Sequence, residues 1–109
     1  MTGQSHPLVG VDVPREGRLA GIDYGHVRIG IAICDGLQML ASPLEIYQRI
    51  DLETDRERFQ RLVDEEGLVG FVVGLPVHSS GDESAKSLEA REFAVLLAEA
   101  TSLPIAFPT

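Results

Sequence analysis

The sequence predicts an α/β fold built on one mixed sheet: three antiparallel strands followed by helix, strand, helix and strand. Three observations lead there. Between Arg18 and Cys34 the chain is rich in aliphatic residues, with Ile29, Ile31 and Ile33 on one face at a period of two. After Ile50 the period becomes helical, and an almost wholly apolar run, Leu68 to Leu75, then follows as a strand covered on both faces would. The length of 109 residues suits one small domain, and 44% apolar with 24% charged residues is the balance of a globular protein rather than a disordered one.

Residues 1–17 hold Pro7, Pro14 and several Gly or polar residues without periodicity, so a flexible N-terminal extension is expected, with the domain occupying 18–109. Arg18 to Tyr24 and Arg28 to Cys34, with Gly25 between them, read as a hairpin. Asp35-Gly36 is a turn signal, and the run through Leu44, Ile46 and Tyr47 is a third strand in which Pro43 suggests an edge or a bulge. Thr54 and Glu57 form a candidate capping box, Phe59, Leu62 and Val63 line one helix face, and Gly67 can end that helix. Pro76 stops the next strand. Ser80 and Glu83 are a second candidate capping box, opening a helix with Leu88, Phe93, Leu96, Leu97 and Ala100 at helical spacing that ends near Ser102. Ile105 to Phe107 reads as a last strand, and right-handed crossovers would set the fourth and fifth strands parallel to the first.

No apolar run reaches the roughly 18 residues of a spanning helix, and the first residues do not resemble a signal peptide, so no membrane partner and a cytoplasmic location are expected. The single Cys34 cannot form an internal disulfide and reads as a small buried hydrophobe. A formal charge of −8 argues against holding nucleic acid chiefly by neutralising its phosphates. Arg56, Arg58 and Arg61 alternate with acids and read as a solvated, salt-laced helix face.

Chemistry concentrates in Gly21-Ile22-Asp23-Tyr24-Gly25-His26-Val27-Arg28-Ile29-Gly30. A carboxylate on the last residues of a strand is held by the ladder, which suits a Mg²⁺ or Mn²⁺ ligand. The competing reading makes Asp23 a turn residue bonding its own backbone. His6, His26 and His78 lack zinc-site spacing, and Ser79 and Ser80 have no partner base. His78 follows the fourth strand on the side where such sheets bind ligands, so it is a candidate phosphate contact, with a solvated loop histidine as the alternative.

The string D-x-G-x-x-R-I-G, followed after one helix by V-V-G-L-P and an S-G-x-E-S loop, resembles the YqgF-type family of Holliday-junction-resolvase-like proteins, also described as pre-16S rRNA nucleases. The resemblance runs from about Arg18 to Phe107 and rests on Asp23, Gly25, Arg28, Gly30, Gly74, Leu75, Pro76, Gly81 and Glu83. It implies an RNase H-like fold and a cytoplasmic, metal-dependent phosphodiesterase acting in ribosomal RNA 5′-end maturation. By position, Asp23 is similar to the family's first-strand metal ligand and catalytic carboxylate. Arg28, Gly74, His78 and Gly81 fall at or near its substrate-binding motif positions. Mg²⁺ or Mn²⁺ is the implied cofactor, and RNA or branched DNA the implied partner. The family's next carboxylates come from an Asp-Glu-Arg segment after the fifth strand and from a last helix, and this sequence stops at Pro108-Thr109 where that segment is expected. The domain is therefore expected to be incomplete at its C-terminus, with oligomers as a consequence of uncovered apolar faces.

Two alternatives stand beside the nuclease. A relative lacking the remaining acids would be a binding or structural piece without catalysis. An actin-like or Hsp70-like ATP-binding domain also opens with G-I-D-x-G, but His26 and Val27 would crowd a phosphate there.

Overall fold

Alternation places its apolar residues where expected. In the computed structural model, which describes residues 5–37, 40–75 and 85–108, β1 (Arg18–Asp23), β2 (Arg28–Cys34) and β3 (Ala41–Gln48) form an antiparallel meander. Then come α1 (Leu52–Glu66), β4 (Leu68–Gly74), α2 (Ala85–Thr101) and β5 (Ile105–Ala106). The five strands lie in the order β3-β2-β1-β4-β5, with β1 parallel to β4 and β4 parallel to β5. The expected strand directions are all present, and the β2–β3 register shifts between Ile31 and Ala32, near Pro43.

Both helices pack on one face of the sheet. Ala20, Ile22, Ile29, Ile31, Phe71 and Val73 project into that side and join Phe59 and Leu62 of α1 with Phe93 and Leu97 of α2 in one core. Phe59 sits at its centre, its ring 5.5 Å from Phe93, 5.9 Å from Tyr47 and 6.2 Å from Phe71, all near edge-to-face. Each of these side chains contributes roughly 2 to 3 kcal/mol by burial, and edge-to-face pairs add to it. The α2 stripe differs in detail from the expectation: Leu88 is exposed, while Ala90 and Ala94 are buried and let α2 approach closely.

Helix α1 is capped by Asp51, not by Thr54. The Asp51 carboxylate accepts from the Thr54 backbone N–H at 2.7 Å, which makes Thr54 the third helical residue. The first turn carries the exposed Leu52, so the apolar period begins one turn after the helix does and hides its true start. At the other end Gly67 is left-handed (φ 64°) and donates to the Val63 carbonyl, closing the helix as predicted. The proposed Ser80–Glu83 cap lies outside the described residues.

Within the stretch read from the sequence as a flexible extension, residues 8–11 lie along β5. The Ile105 amide donates to the Leu8 carbonyl (2.7 Å), and the amides of Gly10 and Val11 both donate to the Ile105 carbonyl (2.8 and 3.2 Å). Leu8 and Val9 pack against the core. The backbone hydrogen bonds of an edge strand hold this segment, and they need no side-chain periodicity, so the sequence carries no sign of them.

Candidate active site

The second face of the sheet holds Gly21, Asp23, Arg28, Gly30, Ala32, Val72 and Gly74, as the strand registers require. Small residues there leave an open groove of about 450 Å³, lined by Asp23, Gly30, Ala32, Ile46, Val72 and Gly74 among others. Asp23 is the last residue of β1. Its cross-strand partner in β2 is Gly30 and its neighbour in β4 is Gly74, so a glycine flanks it on each side. A Cβ on Gly30 would lie 3.4 Å from the Asp23 Cβ, and the missing side chains keep the carboxylate reachable from the groove. Asp23 is exposed, and its side chain forms no ion pair among the described residues.

Arg28 starts β2 on the same face, opposite Gln48, and is exposed. The helix arginines are engaged elsewhere, Arg58 with Glu45 and Glu65, Arg56 with Glu99 and Arg61 with Glu65, the salt-laced surface expected of that stretch. Arg28 pairs with no acid among the described residues. The structure therefore brings Asp23, Arg28 and Gly74 to one face. His78 and Gly81, the other two predicted contacts, lie outside the described residues, as do Asp82 and Glu83. Cys34, on this face near the far end of β2, is half-buried rather than enclosed.

A divalent cation needs several oxygen ligands. Among the described residues no three His, Cys, Asp or Glu side chains come together to hold one. Asp23 fits the role of one ligand; the described residues do not fit a complete cation site.

Behind Asp23, on the helix side, lies a polar cluster that sequence reasoning missed. Asp55 is fully buried; its carboxylate accepts from the Tyr47 hydroxyl at 2.9 Å and from Arg49 Nε at 3.0 Å, and pairs with Arg49 Nη2 at 2.8 Å. Arg49 also donates through Nη1 to the Tyr24 hydroxyl at 2.9 Å. Burial, then the Asp55 hydrogen bond, pushes the Tyr47 phenol up to about 12. Burial alone would lower the Arg49 pKa, but its bonds to Asp55 and Tyr24 outweigh that and raise it. At the helix start, bonds from Thr54 hold the Asp51 carboxyl below its ordinary value. One signal could have exposed the cluster: Asp55 precedes Phe59 by four residues and Leu62 by seven, on the inward stripe of α1.

Residues 17–108 match the model of the family described as "RuvX: Holliday junction resolvase". A protein of Rhodopirellula baltica named "Putative pre-16S rRNA nuclease" is 52% identical over 91 residues, 84% of this chain and 53% of that protein. A Paracoccus denitrificans protein of the same name is 40% identical over 95 residues, 87% of this chain and 60% of that one. The chain thus spans somewhat over half the length of these curated relatives. Among solved structures, that of Thermus thermophilus RuvC in complex with a Holliday junction substrate superposes with a TM-score of 0.60 at 19% identity, over 84% of this chain and 64% of that one. This last likeness supports an RNase H-like fold.

Proposed function

We infer the activity of this protein from its kinship and its open face: the chain belongs to the RuvX family of Holliday junction resolvases, and we propose that the whole protein hydrolyses nucleic-acid phosphodiester bonds. The observation that carries this reading is Asp23, an exposed carboxylate fixed at the end of a central strand between two glycines, facing a groove and without an ionic partner among the described residues. Asp23 is proposed as one ligand of a divalent cation, Mg²⁺ or Mn²⁺. Phosphodiester hydrolysis with such ions draws on several carboxylates, so Asp23 works as one member of a larger set. Arg28, exposed on the same face without an acidic partner among the described residues, is proposed to contact a substrate phosphate, with the Gly74 end of β4 admitting the backbone beside it. The charge of −8 makes long-range attraction of nucleic acid weak, which gives local groups and a bound cation the larger share. The relatives' names favour ribosomal RNA precursors as substrate, and with them a cytoplasmic site of action.

The test uses the protein at its native length, with an end-labelled RNA spanning the leader and mature start of 16S rRNA and, separately, a four-way DNA junction. Cleavage of the RNA is expected with Mg²⁺ or Mn²⁺, none with chelator, and a loss of on the order of a hundredfold or more in Asp23→Asn. Cleavage in the presence of chelator, or an Asp23→Asn variant as active as the parent, would remove Asp23 from the reaction. Preference for the DNA junction would redirect the substrate assignment.

A further inference from the structure

We propose that Arg49 is a positioning residue for the Asp23 site: it clamps the turn of residues 24–27 and thereby fixes the two groups that border it, Asp23 and Arg28. The proposal rests on the reading of Asp23 as a cation ligand. Arg49 meets the turn in four ways. Its backbone N–H donates to the Val27 carbonyl at 3.0 Å, Nη1 donates to the Tyr24 hydroxyl at 2.9 Å and to the Gly25 carbonyl at 3.4 Å, and the guanidinium lies 5.2 Å from the centre of the Tyr24 ring. The clamp is itself anchored: the other edge of the guanidinium is bound to Asp55, and Phe93 of α2 stacks on it at 5.2 Å.

The turn leaves little freedom of its own. A Cβ at Gly25 would sit 2.5 Å from the Arg28 carbonyl oxygen, so the chain doubles back on itself here and only glycine fits. Asp23 is one residue before the clamped stretch and Arg28 one residue after it. Burying an ion pair is weak evidence for stability, since a well-packed apolar pair would serve as well, and its best-attested use is to select one conformation. The planar fork of Arg49 reaches Asp55 and the turn simultaneously, which a lysine ammonium cannot do.

The test compares the parent with Arg49→Lys and Tyr24→Phe by NMR at native length, using MnCl₂ as the probe and thermal melting to confirm folding. In the parent, residues 24–27 are expected to be rigid, with order parameters near about 0.85, and Mn²⁺ to broaden first the amides around Asp23. In Arg49→Lys the turn should fall below about 0.6, and the Mn²⁺ concentration for half-broadening should rise about tenfold. Tyr24→Phe removes one bond of the clamp, leaves the Arg49–Asp55 pair, and should raise that concentration about threefold; it decides the matter if Arg49→Lys does not fold. A parent that responds to Mn²⁺ at Asp23, with folded variants that respond identically, overturns the positioning role even if their turns loosen. A parent with no Mn²⁺ response at Asp23 overturns instead the cation reading beneath it.

Discussion

Asp55 and Asp23 stand on opposite faces of the same sheet and show what two kinds of carboxylate require. Asp55 is sealed under α1, with one oxygen taken by Tyr47 and the other by Arg49. Asp23 is exposed at the end of β1, flanked by glycines and free of ion pairs among the described residues. A buried charge is tolerated only when protein donors satisfy it, whereas a charge intended for something outside the chain must be left unsatisfied by it. The helix face and the groove face of one sheet thus divide structure from recognition.

Three measurements break or sharpen that contrast. The largest effect is expected from Asp55→Asn, which leaves the Arg49 guanidinium without its counter-charge and should destabilise the fold by about 3 kcal/mol in urea titration. Asp23→Asn should change stability by less than about 0.5 kcal/mol in the same experiment. Equal losses would erase the distinction. Next comes alkaline pH. The Tyr47 phenol ionises near 10 when unfolded and at about 12 when folded, so the folded state favours its protonated form. That contribution is whole below pH 10 and disappears as pH climbs through 12. Unfolding free energy should decline over this interval, and a Tyr47→Phe variant should decline less; parallel profiles would show that the phenol is not held up. The smallest effect is Gly74→Ala. Among the described residues its new methyl would meet nothing nearer than the Ile22 carbonyl at 3.7 Å, so a gain of about 0.5 kcal/mol is expected, at the expense of space beside Asp23. A loss exceeding 1 kcal/mol would mean that the backbone, and not the groove, requires glycine there.

Much of this arrangement is legible in the residue order. Alternation in β1 and β2 fixes which residues share a face, and once Asp23 is paired with Gly30 the open carboxylate follows from the pleat. Gly67 announces the end of α1 because its left-handed conformation is one that glycine adopts readily. Asp55 was hidden because Glu-Thr-Asp-Arg-Glu-Arg looks like any hydrated helix surface, and its partners Tyr47 and Arg49 belong to the preceding strand and loop. Only the stripe shared with Phe59 and Leu62 hinted at burial. Residues 8–11 gave no sign at all, since main-chain hydrogen bonds to Ile105 depend little on which side chains the segment carries. Asp23 and Arg28, which the resemblance singled out, lie on one face of the sheet, while His78 and Gly81 lie outside the described residues.

That leading segment has a consequence for self-association. With the N–H and C=O of Ile105 both engaged by residues 8–11, the β5 border offers no rail at that point on which a foreign strand could zip. At the opposite border, β3 leaves Leu44 and Ile46 exposed among the described residues.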